Sequence, residues 1–219
     1  MFGAALGAVR RLLGRWRETI RAPGWAAERG RILLIGPTGA GKSTLVNAFL
    51  GADTAGAGSG APVTAGTTWH TSDGHPVAFG DTRGLEVADS AEQVARLEAA
   101  LTGLDAEVRP HLVWLVVNAE SARAFAGEGT LGAVAAALRG AGIPALVVLT
   151  HAEPGEEHHA RLRARIAAAM PDVPVLPVNT CTTRAGDGTE LIAPHGLDAL
   201  RDASLPFLPD GARRWPSMT

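Results

Sequence analysis

Lysine occurs once in this sequence and tyrosine not at all. Lys42 is the sole lysine among 20 Lys+Arg residues, so the chain supplies arginine everywhere else that it places a cation. Cysteine is as scarce. Cys181 alone excludes an intramolecular disulfide framework and a cysteine zinc site, and it fits a reducing compartment, with the cytoplasm as the expected location. Long apolar runs are missing too. None approaches the ~18 residues of a membrane span, and Arg10 with Arg11 interrupts the apolar core that a secretory signal would need. The net charge of −2 leaves no strong overall field, and no specific nucleic-acid signature is present. Within that balance the front is basic: residues 1–30 hold Arg10, Arg11, Arg15, Arg17, Arg21 and Arg29 against Glu18 and Glu28, and the rest of the chain is acidic.

What is present is enough for one α/β domain of ordinary size. The 219 residues, 46% hydrophobic and 19% charged, allow a proper core but not two comfortable domains. The lone lysine falls inside Gly36-Pro37-Thr38-Gly39-Ala40-Gly41-Lys42-Ser43-Thr44, and residues 36–43 fill the phosphate-loop template G-x-x-x-x-G-K-[ST] without a mismatch. Residues 31–35 before it read as a buried strand, and residues 43–50 after it as a helix stopped by Gly51. Glycines there let successive N–H groups point inward, and the helix N-terminus adds its positive end to this anion nest. A compact ammonium can reach between two phosphate groups where a planar guanidinium cannot, which explains the exceptional lysine.

Residues 2–20 place Phe2, Leu6, Val9, Leu13, Trp16 and Ile20 on one narrow helical stripe beside arginines. A basic amphipathic helix over residues 1–28 is therefore expected. It either packs on the domain or a partner helix, the favoured reading for so narrow a seam, or lies peripherally on a membrane surface through residues 2–20. After the phosphate-loop helix, residues 51–66 are rich in Gly, Ala, Ser and Thr without periodicity and read as a mobile loop. It leads to Thr67 and Thr68. A hydroxyl placed here can complete the coordination of a Mg²⁺ held by Ser43 and a nucleotide, with Thr67 the first choice and Thr68 the alternate. Residues 76–80 form a strand that ends at Asp81-Thr82-Arg83-Gly84, where Asp81 can hold Mg²⁺ through water and Gly84 lets a backbone N–H approach a terminal phosphate. Apolar strands at 111–118, 144–150 and 173–178 alternate with helices at 92–101, 130–139, 156–170 and 195–203. That alternation predicts a doubly wound, mostly parallel sheet. The proline-containing tail, 205–219, is expected to be irregular, leaving 29–204 as the nucleotide-binding domain. His158 and His159 diverge on a helix and read as surface residues.

With residues 36–43, Thr67-Thr68, Asp81–Gly84 and a base-reading strand end in this order, the chain resembles a GTPase domain of the Era-like or dynamin-related kind over roughly residues 31–203. Ala65-Gly66-Thr67-Thr68 is similar to the Gly-Thr-Thr of the Era-like switch I, and Asp81-Thr82-Arg83-Gly84-Leu85 to the family's Asp-Thr-x-Gly-Leu. The resemblance implies a Mg²⁺-dependent GTP-binding protein that converts GTP slowly to GDP and switches conformation between the two. Where the family has Asn or Thr, Lys, any residue and Asp, this chain has Thr150-His151-Ala152-Glu153. Glu153 would accept the N–H groups of the guanine edge and His151 would lie over the purine, unless the stretch is a plain loop without base contact. Thr180 and Cys181 sit where the family's last loop meets the base oxygen, Cys181 being either a base-side contact or a buried small residue.

Leu85 replaces the water-orienting side chain of Ras-like proteins, and Gly39 stands where some relatives carry a potassium-binding Asn. Arg83 could supply transition-state charge in cis or across a homodimer formed through the switch face. Two other readings stay open: a nucleotide-gated binding module with negligible hydrolysis, and an ATP-using protein, given the altered base motif. Relatives of this kind often continue into a helical or membrane domain.

Overall fold

The computed structural model describes residues 20–51, 67–82, 91–120, 130–153, 159–184, 186 and 189–218. Six strands form one sheet. They are β1 (Gly30–Ile35), β2 (Thr67–His70), β3 (Val77–Thr82), β4 (Leu112–Asn118), β5 (Ala145–Thr150) and β6 (Val175–Pro177), ordered β2-β3-β1-β4-β5-β6. All neighbours run parallel except β2, which pairs antiparallel with β3 at the edge. The helices are α1 (Lys42–Leu50), α2 (Ala91–Thr102), α3 (Thr130–Gly140), α4 (Ala160–Ala169) and α5 (Leu197–Ser204). The doubly wound α/β fold expected from the sequence is therefore present.

Continuous apolar runs form the central strands because both faces of the sheet are covered. Alternate residues go to opposite cores. Leu33, Ile35, Val113, Leu115 and Val117 face α2 and α3, whereas Ile32, Leu34, Leu112, Trp114 and Val116 face α1 and α5. Antiparallel β2 was not foreseen: Thr67-Thr68-Trp69-His70 has a single strongly apolar residue and reads as loop. Its anchor is Trp69, whose indole lies against Gly80, where an added Cβ would stand 2.9 Å from the ring.

Two boundaries differ from expectation. Residues 1–19 lie outside the described residues, so the amphipathic helix is untouched, but Ile20, Ala22 and Ala26 are buried in the domain core. The tail, too, is ordered into turns. Leu205–Phe207 and Asp210–Arg214 are short 3-10 helices, and Leu208, Ala212 and Trp215 are buried. Trp215 closes an aromatic cluster, its ring centroid 5.0 Å from Phe49 and 5.7 Å from Phe79. Burial of a large side chain of this kind is worth about 2–3 kcal/mol. The strap is then pinned to α5, because Ser217 Oγ and the Met218 N–H donate to the Asp198 carboxylate at 3.0 and 2.9 Å. Proline spacing signalled irregular backbone, but three apolar residues in turns carry no periodicity by which burial is read.

At the N-terminal end of β1 Arg31 is buried with no carboxylate partner among the described residues. Its guanidinium donates instead to the carbonyls of Ala27, Ala106 and Arg109 at 2.7–2.8 Å. The Arg31 N–H donates to His111 Nδ1 at 3.0 Å. Burial first, then the Arg31 and Arg109 charges, push the His111 pKa down to about 4, so the ring is neutral.

Candidate functional site

The cradle is built at the C-terminal end of β1, between β3 and β4, where open α/β sheets leave a crevice. Gly36 leaves the strand so close to β4 that an added Cβ would stand 2.2 Å from the Val116 carbonyl oxygen. Only glycine permits that approach. Gly39 and Gly41 have φ of 79° and 86°, turning the loop so that Lys42 opens α1. Lys42 is buried, and its Nζ donates to the carbonyls of Gly36 and Pro37 at 2.8 and 3.0 Å. A buried ammonium wrapped by the ring of loop residues is a charge already in place for a polyphosphate.

Beside it Ser43 Oγ donates to Asp81 Oδ2 at 2.5 Å. Asp81 comes from the tip of β3 and is buried, and its other oxygen, Oδ1, has no hydrogen-bond partner. A buried, half-satisfied carboxylate against a hydroxyl is the oxygen donor set that a hard divalent cation takes, and the pair fits Mg²⁺. Thr38, Gly39, Gly41, Lys42, Ser43, Thr44, Asp81, Thr82 and His151 line the cleft above, which has a volume of about 440 Å³.

The two threonines of β2 go to different faces. Thr68 pairs with Asp81, and Thr67 with Thr82. Directly opposed residues share a face, so Thr68 lies on the Asp81 side of the sheet while Thr67 lies on the side of Trp69. Thr67 is buried and its hydroxyl has no partner. The first choice from the sequence is thus the one whose strand position faces away from Asp81. Periodicity had no strand here with which to separate neighbours. Thr82 borders the cleft, but its hydroxyl is engaged in the fold, donating to Leu34 O at 2.7 Å and tying β3 to β1. Arg83, Gly84 and Leu85, with the loop 52–66, lie outside the described residues.

On the base side, Thr150 ends β5 directly behind the phosphate loop. Its hydroxyl lies 2.7 Å from Ala40 O and 3.2 Å from Val117 O, bracing the loop against β4 and β5. A hydroxyl has one proton, so the shorter contact is the donated one. His151 follows with φ 52° and reaches the cleft. Glu153, Thr180 and Cys181 do not line that cleft. Cys181 is exposed, which removes its reading as a buried small residue. Asn179, adjacent to it, is buried and donates from Nδ2 to Cys181 O at 2.6 Å, shaping the turn after β6.

Three features went unread in the sequence. A two-stranded hairpin, β7 (Thr183–Arg184) and β8 (Glu190–Ile192), is inserted after that turn. His195 Nε2 stands 2.9 Å from the Ala152 carbonyl oxygen. His159, expected at the surface, precedes α4 and accepts the Glu153 N–H on Nε2 at 3.3 Å. Helix α4 accordingly begins later than the expected residue 156. No short motif announces such contacts, since each histidine meets a backbone atom. No group of three or more metal-ligating side chains of the His, Cys, Asp and Glu types occurs among the described residues.

Residues 31–151 match the family model described as 50S ribosome-binding GTPase. No curated protein sequence matches the chain. Among solved structures, Era of Aquifex aeolicus bound to GDP.AlF4- superposes with a TM-score of 0.52 at 19% identity, over 84% of this chain and 58% of that one. The chain therefore spans 58% of the length of that relative. A probable GTP-binding protein engB gives 0.51 at 13% identity, over 81% of this chain and 97% of the other. Toc33 from Arabidopsis thaliana, in complex with Mg²⁺ and GMPPNP, gives 0.51 at 16% identity over 86% of each chain. At these identities the superpositions establish the fold.

Proposed function

Because the chain belongs to the 50S ribosome-binding GTPase family, we propose that it binds GTP with Mg²⁺, hydrolyses it slowly to GDP, and reports the difference through its switch segments. The observation that carries this reading is the convergence of Lys42, Ser43 and Asp81 in one cleft, with Ser43 Oγ 2.5 Å from Asp81. Mg²⁺ held by Ser43 and Asp81 would neutralise charge on the β- and γ-phosphates. The loop amides and Lys42 hold the phosphate oxygens, replacing the Gly36 and Pro37 carbonyls as Lys42's partners. Water attacks the terminal phosphate in line, and Lys42 with the backbone N–H groups stabilises the charge that develops. Of the two switch threonines, the β2 register favours Thr68 as the metal-side hydroxyl. Leu85 brings no hydrogen-bonding group to the water, which supports a low intrinsic rate. Arg83 and the Gly84 N–H are the proposed switch II contacts to the terminal phosphate.

Thr150, His151 and Glu153 form the proposed base side, with Glu153 accepting from the guanine edge and His151 lying over the ring. Thr180 and Cys181 border it. The neighbours solved with GDP.AlF4- and with GMPPNP support the guanine reading. Titration with GTP, GDP and ATP in the presence of Mg²⁺ tests this. GTP and GDP should bind more tightly than ATP, and Glu153→Ala should reduce that preference about tenfold, the worth of a charged pair of hydrogen bonds. Tighter binding of ATP than of GTP would overturn the guanine reading.

A further inference from the structure

The base loop is held in an unusual way. Among the described residues only two non-glycine residues have positive φ, His151 at 52° and His159 at 57°, and they bracket Ala152 and Glu153. Left-handed backbone at a side chain larger than glycine is sterically costly and persists only where its surroundings enforce it. Two contacts do so here, and they fall on a single peptide unit. Its carbonyl, that of Ala152, faces His195 Nε2 at 2.9 Å. Its N–H, that of Glu153, donates to His159 Nε2 at 3.3 Å.

Elementary hydrogen-bond chemistry fixes the protons. A carbonyl oxygen only accepts, so His195 carries a proton on Nε2. An N–H only donates, so His159 presents a bare Nε2 and carries its proton on Nδ1. The two rings therefore use the same atom in opposite roles. One peptide plane cannot rotate without breaking both bonds, and its orientation sets the N–Cα bond of Glu153, from which that side chain departs.

The His195 ring is itself held firmly. Its backbone makes both hydrogen bonds of an antiparallel bridge to Asn179, at 3.0 and 2.8 Å. The next residue, Gly196, has φ 81° and packs so tightly on β6 that an added Cβ would stand 2.2 Å from Pro177 O. Helix α5 starts immediately afterwards. His195 thus projects from a rigid corner across to the base loop, and His159 does so from the start of α4.

We propose that His195 and His159 are positioning residues for base recognition, gripping the two ends of the Ala152–Glu153 peptide unit and thereby aiming the Glu153 carboxylate at the purine edge. The proposal rests on the reading that Glu153 contacts the base. Neither histidine touches the phosphate cradle, so the effect belongs to guanine preference and not to phosphate binding.

The test measures Kd for GDP and for ADP, with Mg²⁺, on the full chain. His195→Ala should weaken GDP about fivefold to tenfold, the range expected for one lost hydrogen bond, and leave ADP unchanged, so the GDP:ADP preference shrinks. His195→Gln should restore it, because a glutamine amide N–H can donate where Nε2–H did. His159→Ala should shrink the preference in the same way, and His159→Gln should restore it through the amide oxygen. Equal weakening of GDP and ADP, or a wild-type ratio in both alanine variants while Glu153→Ala loses preference, would overturn the proposal. If Glu153→Ala itself keeps the wild-type ratio, the underlying base reading fails instead, and the proposed aim with it. A second readout needs no variant: a long-range ¹⁵N–¹H imidazole spectrum should show His195 protonated at Nε2 and His159 at Nδ1. The opposite tautomer at either ring would overturn the pincer even if every alanine variant failed to fold.

Discussion

The two halves of the candidate site are made by opposite means. The phosphate half occupies nine consecutive residues, 36–44, joined by one carboxylate from the next parallel strand, and it is cut to shape by glycine: Gly36 fits only because it lacks a Cβ against Val116 O. The proposed base half is assembled from four separated places, namely Thr150–Glu153, His159, Asn179 and His195, through side chains that bond to backbone. Phosphate is a dense charge that any inward set of N–H groups recognises, so a short contiguous loop suffices. A purine edge has direction, and direction demands a framework drawn from distant parts of the chain.

That contrast can be broken from the phosphate side first. Lys42→Ala should lower affinity for GDP and ADP alike by about 100-fold or more, since charge-assisted contacts to phosphate dominate both. The GDP:ADP ratio should stay at its wild-type value in isothermal titration; a selective loss of GDP would mean that the two halves are not separable. Thr150→Val probes the seam between them. It deletes the hydroxyl that braces Ala40 O and leaves that buried carbonyl without its donor. Stability in urea should fall by about 1–2 kcal/mol, with both nucleotides weakened a few-fold and together.

The smallest effect is expected outside both halves. His111 is neutral in the fold, its pKa brought down from 6.5 to about 4 by burial and by Arg31 and Arg109. Between those values the unfolded chain binds the extra proton and the folded chain does not, so the contribution is fully present above pH 6.5 and is lost as pH falls toward 4. Solvent screening of the half-buried ring limits the change to about 2 kcal/mol or less. His111→Asn keeps an acceptor for the Arg31 N–H and should flatten this part of the urea-midpoint profile while leaving nucleotide affinity at pH 7.5 unaltered.

How much of this was legible in the sequence follows the same division. The parallel strands were readable because burial on both faces writes unbroken apolar runs such as Leu112 to Val117, and the cradle because its chemistry is local. Edge strand β2 was not, since Thr-Thr-Trp-His lacks a periodic signal and exists by pairing with β3. The opposite faces of Thr67 and Thr68 were hidden for the same reason: alternation separates neighbours only once a strand is known. The strap over residues 205–218 was hidden because Leu208, Ala212 and Trp215 are buried by tertiary contact and not by pattern. His159 and His195 were hidden because a histidine bonded to a carbonyl or an amide N–H leaves no partner side chain to spell out a motif.

The seat of Trp69 against Gly80 has an optical consequence. With no tyrosine in the chain, near-ultraviolet emission comes from five tryptophans alone, and Trp114 and Trp215 share one buried aromatic cluster on the far side of the sheet. Trp69 stands apart, one residue beyond Thr67 and Thr68, on the strand that pairs with β3 beside Asp81. Lifting β2 from β3 would take the indole from a glycine-lined apolar slot into water. The emission maximum would then move to the red, so Trp69 offers a native fluorophore for testing the proposed switch.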